Sequence, residues 1–454
     1  PEVSDSKPVC IIGAGAAGLY AAMMLHYLQV PFKVLEAAET SPSRRLGGRL
    51  YTQHVGDGTW DYFDVGAMHF PNTPFMKRTF SLADELDVKR IPYAMKAPNT
   101  FTHYNGRQVQ GESALSGDPY GVARYVDPNN RIPNAPLTPE AVHRSCTSPT
   151  LDLFTGDNFD LDLAFQQLYG SFDKYTMRTW LQDRTAAAIN WCEMIDRSTG
   201  WYDRALVETV LEYLAFSWPR ESTPSFDGKW YCFVGGSSSL PEAMYKSLPP
   251  SSVAFGRTVT AINEVRTSSS SHMEVTVNSA NTPTAYSAVI STVPLPRISV
   301  MDLTGCDIVG SSYAQWSAIR QLHYGPAIKI GMRFTEAWWY TKLNIQGDSS
   351  FTDLPLRTIV YPLYPSLTAP SSVLIAAYCW TYDAERLGAL MNGDGTARDE
   401  LIDLVLRDLS TVHGIDVKKY YDRSSRDNAH FAWNWSADPH AMGMISDALR
   451  RGSG

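Results

Sequence analysis

An α/β fold is predicted by three features of the 454-residue sequence. Near the N-terminus an apolar run, Val9-Cys10-Ile11-Ile12, passes directly into Gly13-Ala14-Gly15-Ala16-Ala17-Gly18 and then into a helix-forming stretch, Leu19 to Leu28. Short apolar strands recur later, at Ala288 to Val293, Ile328 to Phe334 and Val373 to Trp380. Between these regions, Asp173 to Phe216 carries helical spacing. Together they read as a Rossmann-like dinucleotide-binding domain, a substrate domain with a mixed sheet, and a helical insertion.

The glycine run is the first element to justify. In G-x-G-x-x-G, Gly13 and Gly15 permit a tight turn and close approach to a pyrophosphate, and Gly18 lets the helix pack on the strand. The helix N-terminus offers free N–H groups to the negative charge. A second strand, Phe32 to Glu36, ends in a carboxylate 23 residues after Gly13, near the spacing of a ribose-hydroxyl acceptor. Ala17 and Ala37, beside these groups, are expected to line the same site.

Two further glycine turns follow, in Arg44-Arg45-Leu46-Gly47-Gly48-Arg49 and Asp64-Val65-Gly66-Ala67-Met68. Pro92 to Pro149, rich in Pro, Asn, Ser and Gly, reads as long loops with short elements. From Asp173, Met177, Leu181, Ala188, Cys192 and Ile195 can share one helical face, and Leu206, Val210 and Leu214 recur every fourth residue. Gly235 to Ala243 can cap and begin a helix, Thr258 to Ile262 reads as a strand, and Glu274 to Asn278 alternates. In a strand through Ile328, Ile330, Met332 and Phe334, Lys329 falls on the opposite face, either solvated or functional. Arg357 to Pro362 and Val373 to Trp380 read as paired strands, with Tyr361 and Trp380 either core aromatics or site residues. Leu401, Val405 and Leu409 mark an amphipathic helix. The expected division is 1–75 and 226–300 for the nucleotide-binding domain, 76–225 for a substrate-domain segment and helical cap, and 301–454 for the rest of the substrate domain.

Composition limits the alternatives. Hydrophobic content of 44% and charged content of 19% are those of an ordinary globular protein, and the length implies two or three intertwined domains. A net charge of −8 argues against nucleic acid or an anionic membrane as a partner. No apolar run reaches the length of a membrane span, and Pro1-Glu2-Val3-Ser4 lacks the features of a signal peptide. We therefore expect a soluble protein, intracellular or secreted after removal of a leader. Cys10, Cys146, Cys192, Cys232, Cys306 and Cys379 lack C-x-x-C spacing, so buried thiols are expected rather than disulfides or a metal site.

Leu35-Glu36 followed by Gly47-Gly48-Arg49 and Gly66-Ala67-Met68 resembles the flavin amine oxidase superfamily, in particular its L-amino-acid oxidase branch. The resemblance extends from about residue 9 to Gly443, through Gly235-Gly236, Thr292-Val293-Pro294, Lys329-Ile330, Tyr361-Pro362 and Phe431 to Gly443. It implies noncovalent FAD, with Gly48, Arg49, Ala67 and Met68 near the flavin, Val259 against the adenine and Trp380 along the ring. It also implies that Lys329 holds a water near flavin N5, that Tyr361 donates to a substrate carboxylate, and that Trp435 and Gly443 line the far wall of the substrate cavity. The implied reaction is oxidation of an L-amino acid, with O2 as acceptor, to a 2-oxo acid, ammonia and hydrogen peroxide. An oxidase or desaturase of another amine, or a non-catalytic flavoprotein, are the alternatives.

Two departures from the family pattern stand out. His69 occupies the place of an arginine that would fork a substrate carboxylate; histidine cannot form that fork, and pairs with a carboxylate only when protonated. The family's Phe-Ala-Gly-Glu segment does not occur before Gly454. The expectation is therefore either a deliberate fragment or a product of proteolytic processing, cut near Arg450-Arg451-Gly452-Ser453-Gly454, whose remaining segment is held as a second polypeptide, with the assembled unit forming a homo-oligomer.

Overall fold

The computed structural model describes residues 7–39, 45–73, 76–111, 119–121, 147–154, 160–216, 229–268, 270–278, 280–307, 312–363, 371–421 and 429–447. Arg44, Cys146 and Arg450 to Gly454, named above, lie outside them.

Four parallel strands make the first sheet, in the order Val253–Ala254, Phe32–Leu35, Val9–Ile12 and Ala288–Ser291. Val9–Ile12 takes an inner position because it is apolar throughout, as a strand covered on both faces must be; Cys10 and Ile11 are fully buried. The Ala16–Tyr27 helix follows at once and buries Gly18, Leu19 and Ala22. Gly18 admits no side chain, since a Cβ there would lie 1.9 Å from the carbonyl oxygen of Gly13. Thr292 Oγ1 donates to the Ile12 carbonyl at 2.8 Å, which ties the last strand of this sheet to the start of the glycine turn.

The second sheet has seven strands and is mixed. Its order is His430–Asn434, Ala327–Arg333, Val373–Trp380, Thr358–Val360, Ser349–Thr352, Phe101–Tyr104 and Arg107–Gln110; Ser349–Thr352 runs parallel to Phe101–Tyr104 and the other pairs are antiparallel. One face carries Ile328, Ile330 and Met332, packed against Leu401, Val405, Leu406 and Leu409 of the Asp399–His413 helix. The opposite face is also covered, by Phe63, Val65 and Trp435. Lys329 is therefore only 1% exposed, which removes the reading of a solvated lysine on an open strand.

The helical insertion has its own core, built on Leu168, Met177, Leu181, Cys192, Trp201, Leu206, Val210 and Leu214. Met177 to Ile195 is not one helix. A Met177–Trp180 turn, capped at Thr176, ends before Thr185 caps a new helix at Ala186–Ile195. Both pieces still send their apolar residues into one cluster, so periodicity identified the shared face and missed the break. Within the expected loop region, Phe101–Tyr104 and Arg107–Gln110 form a hairpin that edges the large sheet. Its Asn105-Gly106 turn has φ of 51° and 69°, the geometry that Asn-Gly favours in two-residue hairpin loops. Cys10, Cys192, Cys232, Cys306 and Cys379 are free thiols.

The sheet-to-helix contact generates a stability prediction. Leu406 is fully buried in the large core, so Leu406→Ala should cost about 2–5 kcal/mol. Urea midpoints with an unchanged slope check this; a loss below about 1 kcal/mol would mean that the helix packs more loosely than described.

Candidate functional site

Three backbone turns meet where the two sheets adjoin. Gly47 N–H donates to the Ala14 carbonyl at 3.0 Å, joining the second glycine turn to the first. Gly66 N–H donates to Tyr51 O, and Ala67 N–H to Arg49 O, each at 3.1 Å, joining the third turn to the second. Gly66 is required by this approach: a Cβ would lie 1.7 Å from the Arg49 carbonyl oxygen. The turns border a cavity of about 350 Å³, whose walls include Gly13, Gly15, Ala17, Glu36, Ala37, Gly48, Arg49, Ala67 and Val259.

The wall chemistry fits a dinucleotide. The Ala16–Tyr27 helix has Gly15 at its N-cap, no side-chain cap and no acid in its first turn, so no side-chain acceptor from those positions competes for its N-terminal amides. Arg49, Arg257 and Arg297 add positive charge, Arg45 is paired with the buried Asp438 carboxylate at 2.5 Å, and the one acidic side chain among the described lining residues is Glu36. The Glu36 carboxylate is oriented by N–H donors from Ala14 at 2.6 Å and Ala38 at 2.9 Å. Each oxygen keeps lone-pair capacity for a hydroxyl donor. Arg49 donates to Met444 O at 2.8 Å and lies 4.7 Å from the Tyr324 ring centroid, which fixes its guanidinium at the cavity wall.

Behind this cavity the Asp64–Gly66 turn is clamped from the large sheet. Lys329 Nζ donates to the carbonyls of Asp64 at 2.9 Å and Gly66 at 2.6 Å, and Trp435 Nε1 donates to Val65 at 3.1 Å. The Asp64 carboxylate accepts from Thr52 Oγ1 at 2.6 Å, Ser237 N at 2.8 Å and Ser237 Oγ at 3.0 Å. Burial pushes the Lys329 amine down to about 7, with the Asp64 carboxylate opposing the shift. Asp64 itself is raised by burial, against its hydroxyl and amide donors and Lys329.

A second cavity, of about 80 Å³, opens on the other side of the same turn and is bordered by Met68, His69, Tyr93, Cys232, Val360 and Ile375 among others. His69 stacks on Tyr93 with ring centroids 3.7 Å apart. Burial, with the Lys329 charge adding to it, lowers His69 to about 3, so its imidazole is neutral across the physiological range.

The sequence matches the flavin-containing amine oxidoreductase family over residues 16–452. The chain belongs to that family. Among curated relatives of this amine oxidoreductase, L-amino-acid oxidase 4 of Hebeloma cylindrosporum is 35% identical, the match covering 98% of this chain and 75% of the relative. A putative bifunctional amine oxidase of Dictyostelium discoideum is 31% identical, covering 96% of this chain and 41% of that protein. Solved structures share the fold: a putrescine oxidase variant matches 98% of this chain and 88% of its own with a TM-score of 0.70 at 16% identity. Cyclohexylamine oxidase from Brevibacterium oxydans gives 0.68 at 16%, covering 98% and 89%.

The amine oxidoreductase does not gather all the residues that the family pattern suggested. Gly13, Gly15, Ala17, Glu36, Ala37, Gly48, Arg49, Ala67 and Val259 line one cavity; Gly18 packs beneath it, and Met68 turns to the second. Trp380 stands 6.2 Å from Trp201 of the helical insertion, away from the large cavity's lining. Three substrate assignments need correction. Tyr361 directs its hydroxyl into the core, donating to Ser350 Oγ at 2.7 Å and meeting His413 Nε2 at 2.5 Å, because it alternates with Val360 along the strand. Trp435 is fully buried with its N–H spent on Val65, and Gly443 is packed against Tyr324. His69 lines the second cavity, and burial favours its neutral imidazole, which pairs with a carboxylate only on taking up a proton. Asp64 and Arg45 were given no role by the sequence reading. Their signal is an acid at the end of an apolar strand, and an arginine preceding Gly-Gly that lies 5.4–5.5 Å from the rings of Tyr51, Trp433 and Trp435. Among the described residues no group of three His, Cys, Asp or Glu could hold a metal, and no helix is long and apolar enough to cross a membrane.

Two outcomes follow. The folded amine of Lys329 lies at about 7, below its unfolded value of 10.5. Between those pH values the unfolded chain holds more protons, so this residue makes stability rise with pH in that window. Urea titrations should show the rise in the wild type and a flatter profile in Lys329→Met; identical slopes would mean that Lys329 stays protonated in the fold. Tyr361→Phe should lose about 1–3 kcal/mol of stability from its buried hydroxyl contacts and leave substrate KM unchanged. A raised KM with unchanged stability would return this hydroxyl to the substrate.

Proposed function

We propose that the protein is an FAD-dependent L-amino-acid oxidase that holds its cofactor noncovalently in the 350 Å³ cavity. One observation supports this most: a cavity with a bare helix N-terminus, an oriented Glu36 and fixed arginines lies in a chain 35% identical, over 98% of its length, to an L-amino-acid oxidase. When bound, FAD supplies the hydride acceptor. The first-turn amides beyond Gly15 receive the pyrophosphate, Glu36 takes ribose hydroxyls, the Val259 backbone borders the adenine, and Gly48, Arg49 and Ala67 border the flavin. The clamped Asp64–Gly66 turn keeps that border rigid and excludes water from behind it. Lys329, near neutrality in its titration, can hold or release a proton at Nζ. An amino acid that loses its Cα–H as hydride becomes an imine, which water hydrolyses to a 2-oxo acid and ammonia; O2 is the final acceptor and hydrogen peroxide the product.

A second reading, an oxidase of amines without a carboxylate, is favoured by one feature: the neutral, stacked His69 supplies no cation where the amino-acid oxidases have arginine. Peroxide release measured across the twenty amino acids and a set of mono- and diamines separates the two. Turnover of amines alone would defeat the amino-acid reading, and no turnover by a flavin-loaded protein would defeat both.

The cofactor assignment has its own test. A Cβ on Gly15 would lie 3.9 Å from the Gly47 carbonyl oxygen and from Gly48 Cα, so Gly15→Val should fold normally while placing a side chain beside the N-terminal amides. We expect an unchanged melting temperature and loss of yellow colour on desalting. Retained flavin would place the pyrophosphate elsewhere, and colour that stays on the denatured wild-type chain would contradict noncovalent attachment.

A further inference from the structure

The second cavity is a poor site for an anionic substrate. Most of its polar wall groups are neutral or already bonded: the Asp64 carboxylate accepts from Thr52 and Ser237, Tyr62 Oη accepts from Gly235 N at 3.2 Å, and Tyr93 Oη donates to Tyr361 O at 2.9 Å. His69 is a stacked neutral imidazole and burial keeps the Cys232 thiol protonated. The remaining wall is apolar, with Phe63, Met68, Ile91, Phe233, Val360 and Ile375. A carboxylate entering here would lose its hydration without meeting a lysine or arginine in the wall.

Its volume and position suit a smaller guest. A space of about 80 Å³ is several times what one water needs, far below the size of a drug-sized site, and comparable to voids that take up xenon. Met68, in its wall, places Sδ 3.5 Å from Lys329 Nζ, and the neighbouring Ala67 lines the larger cavity on the other side of the turn. We propose that this cavity holds dioxygen, separated from the cofactor cavity by the single strip Ala67 to His69. The inference rests on the oxidase reading above. The step served is the two-electron reduction of O2: electrons drawn from the amine substrate through the flavin, with two protons, convert O2 to hydrogen peroxide.

Xenon and half-reaction kinetics test this together. Crystals of the protein pressurised with xenon should show an atom between Met68, Ile91 and Ile375; no xenon there overturns the proposal. Ile91→Phe and Cys232→Met each fill the space from a different strand. Either should slow reoxidation of the dithionite-reduced enzyme by O2 roughly tenfold, while anaerobic reduction by substrate keeps its rate. Unchanged reoxidation in a folded variant that has lost the xenon site overturns the proposal, as does an equal fall in both half-reactions, which would make the cavity part of the substrate site. Dithionite bypasses the amine, so failure of every amino acid and amine to reduce the flavin would count against the oxidase reading without altering the xenon and reoxidation results.

Discussion

A lysine amine buried against two backbone carbonyls holds this site together. Lys329 comes from inside the seven-stranded sheet, and its contacts with Asp64 O and Gly66 O, with Trp435 on Val65 O between them, engage three consecutive carbonyls of one turn. With those carbonyls drawn toward the sheet, the N–H groups of Gly66 and Ala67 face the opposite way and pair with Tyr51 and Arg49. The turn is thus held on both sides, by Lys329 and Trp435 on one and by the Arg49–Tyr51 segment on the other. Loss of either set of partners would leave buried peptide groups unpaired, at a cost of about 1–3 kcal/mol each.

The same clamp explains the electrostatic division of the two cavities. Lys329 has carbonyl dipoles but no carboxylate hydrogen bond, and Thr52 and Ser237 donate to Oδ1 of the Asp64 carboxylate. Desolvation therefore dominates and the amine titrates near neutrality instead of standing as a permanent cation. His69, sharing that environment, is forced to its neutral form. On the far side of the turn the opposite holds, where four arginines and a bare helix N-terminus face the larger cavity. A strip of three residues separates a cavity whose wall carries four arginines from one whose wall carries no lysine or arginine.

The nucleotide-binding half was legible in the sequence because its constraints are local. Gly18 must be glycine to clear the Gly13 carbonyl, and Glu36 must end the second strand to meet the Ala14 and Ala38 amides, so spacing alone conveyed both. The mixed sheet is legible as apolar strands, whereas its hairpin at Phe101–Gln110, inside a stretch that reads as long loops with short elements, is marked only by Asn105-Gly106. What was not legible were relations between distant segments. Nothing near Asp64 in sequence points to Thr52 and Ser237 as its partners, and nothing near Lys329 shows that Trp435 closes the face on which it lies.

Tyr361 shows why motif matching fails most readily inside a two-sided buried strand. In a strand exposed on one face, polar and apolar residues alternate and reveal which positions look inward. Thr358–Val360 is buried on both faces, with Ile359 and Tyr361 in the large core and Val360 in the cluster beside the small cavity. A tyrosine there is compatible with either direction, because a single-residue change of register exchanges every side chain between faces. The direction is decided elsewhere: His413, at the end of a helix that follows much later, and Ser350, on the adjoining strand, supply polar partners in an otherwise apolar core. The hydroxyl goes where it can be bonded, and the isopropyl group of Val360 is left to form the cavity wall.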